Sequence, residues 1–388
     1  MLKFSIIIGF RNREYKRVKY SLDSLARQEE QNFELIFVDY GSKPNISAKI
    51  RRLVESYKFT TYIYTETRGF LWNKSEALNI GIMHAKGEYI VIADVDLIFC
   101  KNYTKFASDN ITKDIFLTHR CYYLPQDYPL SKIINEKIGS NEKFEINFIG
   151  LMVVHRSCLI EIDGFDEFYQ VWGAEDEDVN LSLTKMRGLT RKHIDVSVIP
   201  LWHQWHSKVS PPRPSHWFLA ELNYLYCSKE QPPRNKIEKG RIYEVEGRLA
   251  LQLYLSKNYL KEFQVTIDRK DHLAFLSFYQ NFSQLKAGEM CYFEYKNREL
   301  IFDNGKLQKV INVINSIFDK LGKYFHYRLF REEHIRFLDT VKFKDIKEFI
   351  EYFIGMNRGG IEDYYYCCSE KSLILIIKKR EMLTTNLY

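Results

Sequence analysis

The chain has 388 residues, 45% of them hydrophobic and 28% charged, enough for one large core or two ordinary ones. No apolar run approaches the roughly 20 residues of a bilayer-spanning helix, which excludes an integral helical membrane protein. The formal charge of +7 is uneven: residues 1–230 hold 30 Lys+Arg against 29 Asp+Glu, and residues 231–388 hold 27 against 21.

That weak basic excess suits peripheral contact with an anionic membrane face or an acidic polymer, and is also common on ordinary solvated surfaces. No nucleic-acid partner is expected. Met1-Leu2-Lys3 leads directly into an apolar strand pattern with no leader-peptide signature, so the expected location is cytoplasmic. The seven Cys are scattered without metal-type spacing and read as reduced thiols.

In chain order, residues 4–8 are a short apolar run. Residues 14–28 carry a helical pattern with Val18, Leu22 and Leu25 inward. A strand at 33–38 ends in Asp39-Tyr40-Gly41-Ser42. A helix at 46–57, a strand at 61–64 and a helix at 75–85 follow, with Gly87 placed to close the last helix. Residues 89–93 read as a fully buried strand. This βαβαβ rhythm predicts an α/β fold with a mostly parallel sheet flanked by helices on both faces. Ligands of such sheets bind beyond the carboxyl ends of the strands. Gly9-Phe10-Arg11, Asp39 and Asp94-Val95-Asp96 all fall at such ends, so three polar clusters should meet on one rim.

Two proline-marked stretches, 209–214 and 231–234, follow the first half. The boundary is placed at the second, giving a catalytic region at 1–230 and a smaller C-terminal domain of α+β or mostly helical type at 231–388. In that domain a hairpin is expected at Asp303-Asn304-Gly305. Helices are expected near 307–324 and 344–354, and a strand pair around 369–371.

Asp94 and Asp96, one residue apart at a strand end, should point the same way and repel unless a divalent cation joins them. The bland alternative is a turn or cap. A second constellation runs from Asp163-Gly164-Phe165-Asp166-Glu167 to Trp172-Gly173-Ala174-Glu175-Asp176-Glu177-Asp178. It leads into a helix with Val179, Leu183 and Met186 on one face. Acids in a first turn suit the helix dipole, which alone accounts for Glu177 and Asp178. It does not account for the aromatic lead-in, and a carboxylate here could act as general base toward a hydroxyl. Third, a strand-like stretch at 194–199 delivers His203 and His206. Imidazole beside carboxylate suits Mn²⁺ or Zn²⁺, with His203 the favoured ligand and His206 the substitute.

Walker-type, dinucleotide-binding and Gly-x-Ser-x-Gly patterns are missing from the sequence. The first strand ends instead in Gly9-Phe10-Arg11-Asn12-Arg13, two guanidinium groups beside an aromatic ring, suited to a phosphorylated nucleoside.

Taken together these residues resemble glycosyltransferases of the GT-A fold that use nucleotide-diphosphate sugars. The runs Ile6 to Arg13, Trp72-Asn73-Lys74-Ser75-Glu76-Ala77-Leu78-Asn79-Ile80-Gly81, Asp94 to Ile98 and Gly164 to Asp178 are similar to motifs of the β-1,4-galactosyltransferase family. The run Phe33 to Ser42 is similar to bacterial inverting polysaccharide synthases, and His203-Gln204 to chondroitin-type polymerases. The resemblance covers about residues 1–210. Gly9 stands where the galactosyltransferases have Pro, and Tyr40 where the bacterial family commonly has a second Asp.

The resemblance implies roles. Phe10, Arg11 and Arg13 would line the uridine and diphosphate pocket, with Asp39 near the base or ribose. Asn73, Lys74, Asp94 and Val95 would meet the diphosphate, ribose or donor sugar. Asp96 and His203 would hold Mn²⁺, with Mg²⁺ as a substitute. Asp176 would be the base, and Glu175 and Trp172 would grip the acceptor. The implied activity is inverting transfer of galactose, N-acetylgalactosamine or a related hexose from a UDP-sugar to a glycan or lipid-linked glycan, in bacterial surface polysaccharide synthesis at the inner membrane face. Two rivals are a metal-dependent nucleotidyltransferase, which would release diphosphate rather than UDP, and a non-catalytic sugar-binding module on the same scaffold. The module would be expected to have lost Asp94, Asp96, Asp176 or His203.

Overall fold

The computed structural model describes residues 2–134, 138, 142–171, 173–206, 223–227, 239–256, 264–267, 273–296, 343–370 and 372–380. The chain divides into two compact units, Met1–Glu244 and Val245–Tyr388. That division lies some way past the proline-marked stretch at 231–234, which is itself outside the described residues, as are the expected hairpin at 303–305 and helix at 307–324.

The first unit is built on β1 (Phe4–Phe10), β2 (Phe33–Tyr40), β3 (Thr60–Thr65), β4 (Tyr89–Ala93), β5 (Leu97–Phe99), β6 (Ile115–Tyr123), β7 (Glu145–His155), β8 (Thr190–Ile194) and β9 (Leu201–His203). Its order is β3-β2-β1-β4-β7-β6-β9-β5, with β8 on β6. The four strands β3-β2-β1-β4 are all parallel, whereas β7 runs against both β4 and β6. Helices α1 (Tyr15–Ala26), α2 (Pro44–Val54), α3 (Lys74–His84), α4 (Tyr103–Asn110), α5 (Leu130–Ile134), α6 (Arg156–Glu161) and α7 (Glu175–Arg187) belong to the same unit.

Strand alternation sends side chains to two cores. Ile6, Ile8, Leu35, Phe37 and Val91 pack with Val18, Leu22 and Leu25 of α1. Ile7, Ile36 and Ile92 pack with Ala77 and Leu78 of α3 and Val179 and Leu183 of α7. Met186, expected on the same face as Val179 and Leu183, is 57% exposed, next to the C-terminal end of α7 where the helix runs out at Arg187.

Two local expectations change. The stretch 194–199 is a strand end followed by a turn: Val198 N donates to the Asp195 carbonyl at 3.0 Å, and the strand that delivers His203 is β9. Gly87 does not cap α3, which ends at an extended Ala85. A Cβ at Gly87 would come 2.4 Å from Ser5 N, so this glycine permits close approach to β1.

The second unit contains α8 (Leu249–Ser256), β10 (Gln264–Ile267), α9 (Leu273–Gln284), β11 (Met290–Lys296), α10 (Phe343–Met356), β12 (Ile361–Cys368) and β13 (Ser372–Lys379). Its sheet runs β10-β11-β13-β12, an α+β arrangement. The helix expected near 344–354 and the strand pair around 369–371 are α10 and the β12–β13 hairpin. Arg248 and Asp363 form a buried ion pair at 2.6 Å in its core. No helix among the described residues is long and apolar enough to cross a membrane.

Candidate active site

The register of the parallel strands sets Phe10 beside Asp39 and Ile8 beside Ala93, so the chain leaves β1, β2 and β4 along one rim. Beyond β4, Leu97 N donates to the Asp94 carbonyl at 3.3 Å and closes a turn holding Asp94, Val95 and Asp96. The turn breaks strand alternation, and the two carboxylates acquire separate partners.

Asp96 faces imidazoles. Pairing of β5 with β9 sets Leu97 across from His203, and Gln204 N donates to the Asp96 carbonyl at 2.9 Å. Asp96 Oδ1 lies 3.4 Å from His203 Nε2, and Oδ2 lies 3.6 Å from His206 Nε2. The candidate ligand atoms of Asp96, His203 and His206 lie within 4.8 Å of one another. Tyr123 stacks on the His203 ring at 4.5 Å between centroids and fixes its plane. Burial lowers the His203 pKa despite the charges of Asp96 and Asp94, favouring the neutral ring a metal requires. Asp96 Oδ1 is buried and makes no hydrogen bond among the described residues. A carboxylate oxygen needing a cation, set beside two imidazoles, fits a divalent ion such as Mn²⁺. Both His203 and His206 reach Asp96, at 3.4 and 3.6 Å.

Asp94 faces Lys74 instead. Lys74 Nζ lies 3.2 Å from Asp94 Oδ1, 3.4 Å from Glu175 Oε1 and 3.5 Å from Asp176 Oδ1. One ammonium thus joins the β4 rim to the first turn of α7. Burial works against the Lys74 charge, yet Asp176, Asp94 and Glu175 outweigh it and hold its pKa well above the usual lysine value. Burial likewise opposes ionisation of Asp94, but Lys74 and His203 keep its carboxyl below the ordinary range. Asp176 goes the other way: burial, with Glu175 and Asp94 close by, pushes it up to about 7 against the pull of Lys74. Its side chain still keeps 36% of its surface in solvent, so it is crowded on one side and open on the other.

The segment before α7 is held by α3. Asn79 Nδ2 donates to the Phe165 carbonyl and to Glu167 Oε1, both at 2.9 Å, and its Oδ1 accepts from Phe165 N at 2.9 Å. Gly164 has φ +66°, and a Cβ there would lie 2.5 Å from Asn79 Oδ1. Val171 (φ 67°) and Ala174 (φ 69°) are left-handed without being glycine, a strained approach to the Glu175–Asp176 turn. Trp172 lies outside the described residues.

Several residues expected at the nucleotide have other engagements. Arg11 donates to three backbone carbonyls: Tyr40 at 2.7 Å, Phe70 at 2.8 Å and Thr67 at 2.6 Å. Phe10 is buried against Phe37. Asp39 is fully buried, accepting from Ser42 N at 2.9 Å and from the Tyr62 hydroxyl at 2.6 Å. Asn73 caps α3 through Glu76 N at 2.9 Å and donates to the Glu167 carbonyl at 2.7 Å. Val95 is core. Tyr40 donates its hydroxyl to Glu76. Arg13 is exposed and close enough to Asp94 to lower its pKa further.

Sequence reasoning missed Gly150 of β7, Asn79 and Arg17. A Cβ at Gly150 would meet Asp176 Oδ2 at 2.7 Å and Lys74 Nζ at 2.9 Å. Asn79 sits inside the run from Trp72 to Gly81, where nothing local marks it out. Gly150 carries no local signal, since its neighbours arrive from distant segments.

Known proteins resemble this chain over its N-terminal part. Residues 5–114 match the family model "Glycosyl transferase family 2". Beta-1,4-galactosyltransferase 1 of Mus musculus is 25% identical over 222 residues, covering 55% of this chain and 45% of that protein. An uncharacterized glycosyltransferase of Rickettsia felis is 29% identical over 124 residues, covering 31% of this chain and 19% of that one. The chain thus spans less than half the length of these relatives. Among solved structures, GalNAc-T7 with UDP, GalNAc and Mn²⁺ gives a TM-score of 0.41 at 15% identity, covering 54% of this chain and 45% of that one. S. aureus TarS 1-349 in complex with UDP gives 0.38 at 19%, covering 59% and 67%. The resemblance read from the motifs therefore stands for the N-terminal part of the chain: residues 5–114 carry a glycosyl transferase family 2 domain.

Proposed function

We propose that the chain is an inverting, metal-dependent glycosyltransferase that moves a hexose from a UDP-sugar to a hydroxyl of a glycan acceptor. The observation that carries this reading is Lys74, whose ammonium joins Asp94 on the donor-side rim to Glu175 and Asp176 at the start of α7. A base and a leaving-group site must lie on opposite sides of one reacting carbon, and this cation spans such an interval.

Asp96, His203 and His206 would hold the divalent ion, Mn²⁺ by preference with Mg²⁺ as a substitute, which when bound supplies positive charge beside the leaving diphosphate. Arg13 would add a second cation from the exposed end of β1. Asp94 would meet the donor ribose or sugar, and Glu175 with Trp172 would grip the acceptor. Phe10, Asp39, Asn73 and Val95 would shape the nucleotide pocket from behind, and Arg11 would hold the 67–70 loop over it.

In the transfer, the acceptor oxygen forms a bond to the anomeric carbon as the bond from that carbon to the β-phosphate oxygen breaks. The acceptor proton passes to Asp176, and UDP leaves with the electron pair. Attack from the face opposite the leaving group inverts the centre. Asp176 must be ionised for this, and a carboxyl titrating near 7 is suited to a base that later releases its proton to solvent.

The galactosyltransferase relatives point to galactose as the donor sugar, with N-acetylgalactosamine the alternative. A lipid-linked or growing surface glycan at the inner membrane face, reached by peripheral contact of the basic region 231–388, is the acceptor setting we infer.

Calorimetry of UDP binding with and without Mn²⁺, on the wild type and Asp96→Ala, tests the reading. Binding that requires Mn²⁺ and is lost in the variant supports it. UDP binding indifferent to metal, or its absence under every metal tried, counts against it.

A further inference from the structure

Arg17 is a nearly buried cation that the proposed reaction leaves without a role. It sits in the first turn of α1, where a positive charge opposes the helix dipole, and that turn carries no acidic residue to offset it. Its Nη1 lies 3.5 Å from Asp96 Oδ2, and its Nη2 donates to the Trp205 carbonyl at 3.2 Å. Gln204 Nε2 donates back to the Arg17 carbonyl at 3.0 Å. The side chains of Arg17 and Asp96 are 11% and 7% exposed. Asp96 Oδ2 therefore faces both the Arg17 guanidinium and His206 Nε2.

A carboxylate this deeply placed is costly without a counter-charge, and among its described neighbours the permanent cation in contact is Arg17. A dication seated between Asp96 and the imidazoles would satisfy the same carboxylate. It would then stand close to the guanidinium, and like charges at that range in a poorly screened site repel strongly.

We propose that Arg17 is a built-in counter-ion to Asp96 that competes with the divalent cation. It keeps the site formed when no metal is bound and sets how tightly metal is held. This rests on reading Asp96, His203 and His206 as the metal site. Because Arg17 also holds the Trp205 carbonyl, the exchange would be felt in the segment that carries His206.

The test is calorimetric titration of the full chain with MnCl₂ alone, without nucleotide. Arg17→Gln removes the charge but keeps a donor for the Trp205 carbonyl, and Arg17→Met is a second charge-free variant should the first fold poorly. Removing the guanidinium is expected to tighten Mn²⁺ binding by about tenfold or more, whereas Arg17→Lys, which keeps the charge, should stay near the wild type. Without metal the charge-free variants should melt below the wild type, and Mn²⁺ should raise their melting temperature by more than it raises the wild type's. Unchanged or weaker Mn²⁺ binding in both charge-free variants overturns the competition. Asp96→Asn separates this from failure of the metal reading. Wild-type binding lost in Asp96→Asn but unimproved by Arg17→Gln keeps the metal site and removes the competitor. Binding unaffected by Asp96→Asn, or absent throughout, removes the site and the competition together.

Discussion

Gly150 and Asp176 approach so closely that a single methyl group would not fit between them: a Cβ on Gly150 would lie 2.7 Å from Asp176 Oδ2. The same Cβ would lie 2.9 Å from Lys74 Nζ, so one missing side chain on β7 admits both ends of the ion pair. Gly150→Ala is therefore expected to displace Asp176 and Lys74 together. Turnover should fall by about tenfold or more, since misplacing a reacting group by around an ångström is severe. UDP affinity should change far less, and steady-state kinetics beside calorimetry would separate the two. Wild-type turnover in this variant would mean that Asp176 does not act from where it stands.

With Asp176 as the proposed base, the pH dependence of transfer is set by its carboxyl. Its carboxyl titrates near 7, and only the ionised form can accept a proton. The rate should rise as pH climbs through about 7 and level above it, falling by about tenfold per unit well below. Asp176→Asn should lose this limb together with about 10²-fold or more of the rate, while UDP binding persists. A full-rate Asp176→Asn enzyme would remove the base assignment.

Lys74 compensates three carboxylates at 3.2, 3.4 and 3.5 Å. Lys74→Met leaves Asp94, Glu175 and Asp176 to repel one another in a crowded site. A loss of about 3 kcal/mol in denaturant-derived stability is expected, and acidification should recover part of it as the carboxyls protonate. An equally stable Lys74→Met protein would show that solvent already screens the cluster.

Arg11 is expected to behave as a structural strap. Its three donations to backbone carbonyls fasten the 67–70 loop to the ends of β1 and β2. Arg11→Lys supplies no fork to span those three acceptors, so a melting temperature several degrees lower is expected. UDP affinity measured well below that melting point should move less than it does in Arg13→Ala. The reverse ranking would return Arg11 to the diphosphate.

The alternation of strands and helices through Ala93 was legible because it is written in local periodicity: Ile90 to Ala93 is continuous apolar chain, and α3 is flanked by its own cap at Asn73. What the motif residues touch was less legible. Asp94 and Asp96 were expected to point the same way because strand alternation was carried past Ala93, where β4 ends; the turn closed by Leu97 gives them different partners. The partners of Arg11 are carbonyls at 40, 67 and 70, and a carbonyl leaves no mark in a residue string. The role of Gly87 was misread for the same reason, since its neighbour Ser5 is distant in sequence. The left-handed Val171 is invisible to pattern reading, because β-branched residues are poor candidates for that region.

Asn79 has a consequence for redesign. Three hydrogen bonds tie this residue of α3 to Phe165 and Glu167, so the helix bearing Lys74 also dictates the course of the segment leading to Glu175. A loop graft spanning 163–178, meant to change acceptor choice, would import new side chains without importing the amide that folds them. Such chimeras in this scaffold should be cut so that α3 travels with the loop, making the transplantable module two stretches of chain rather than one.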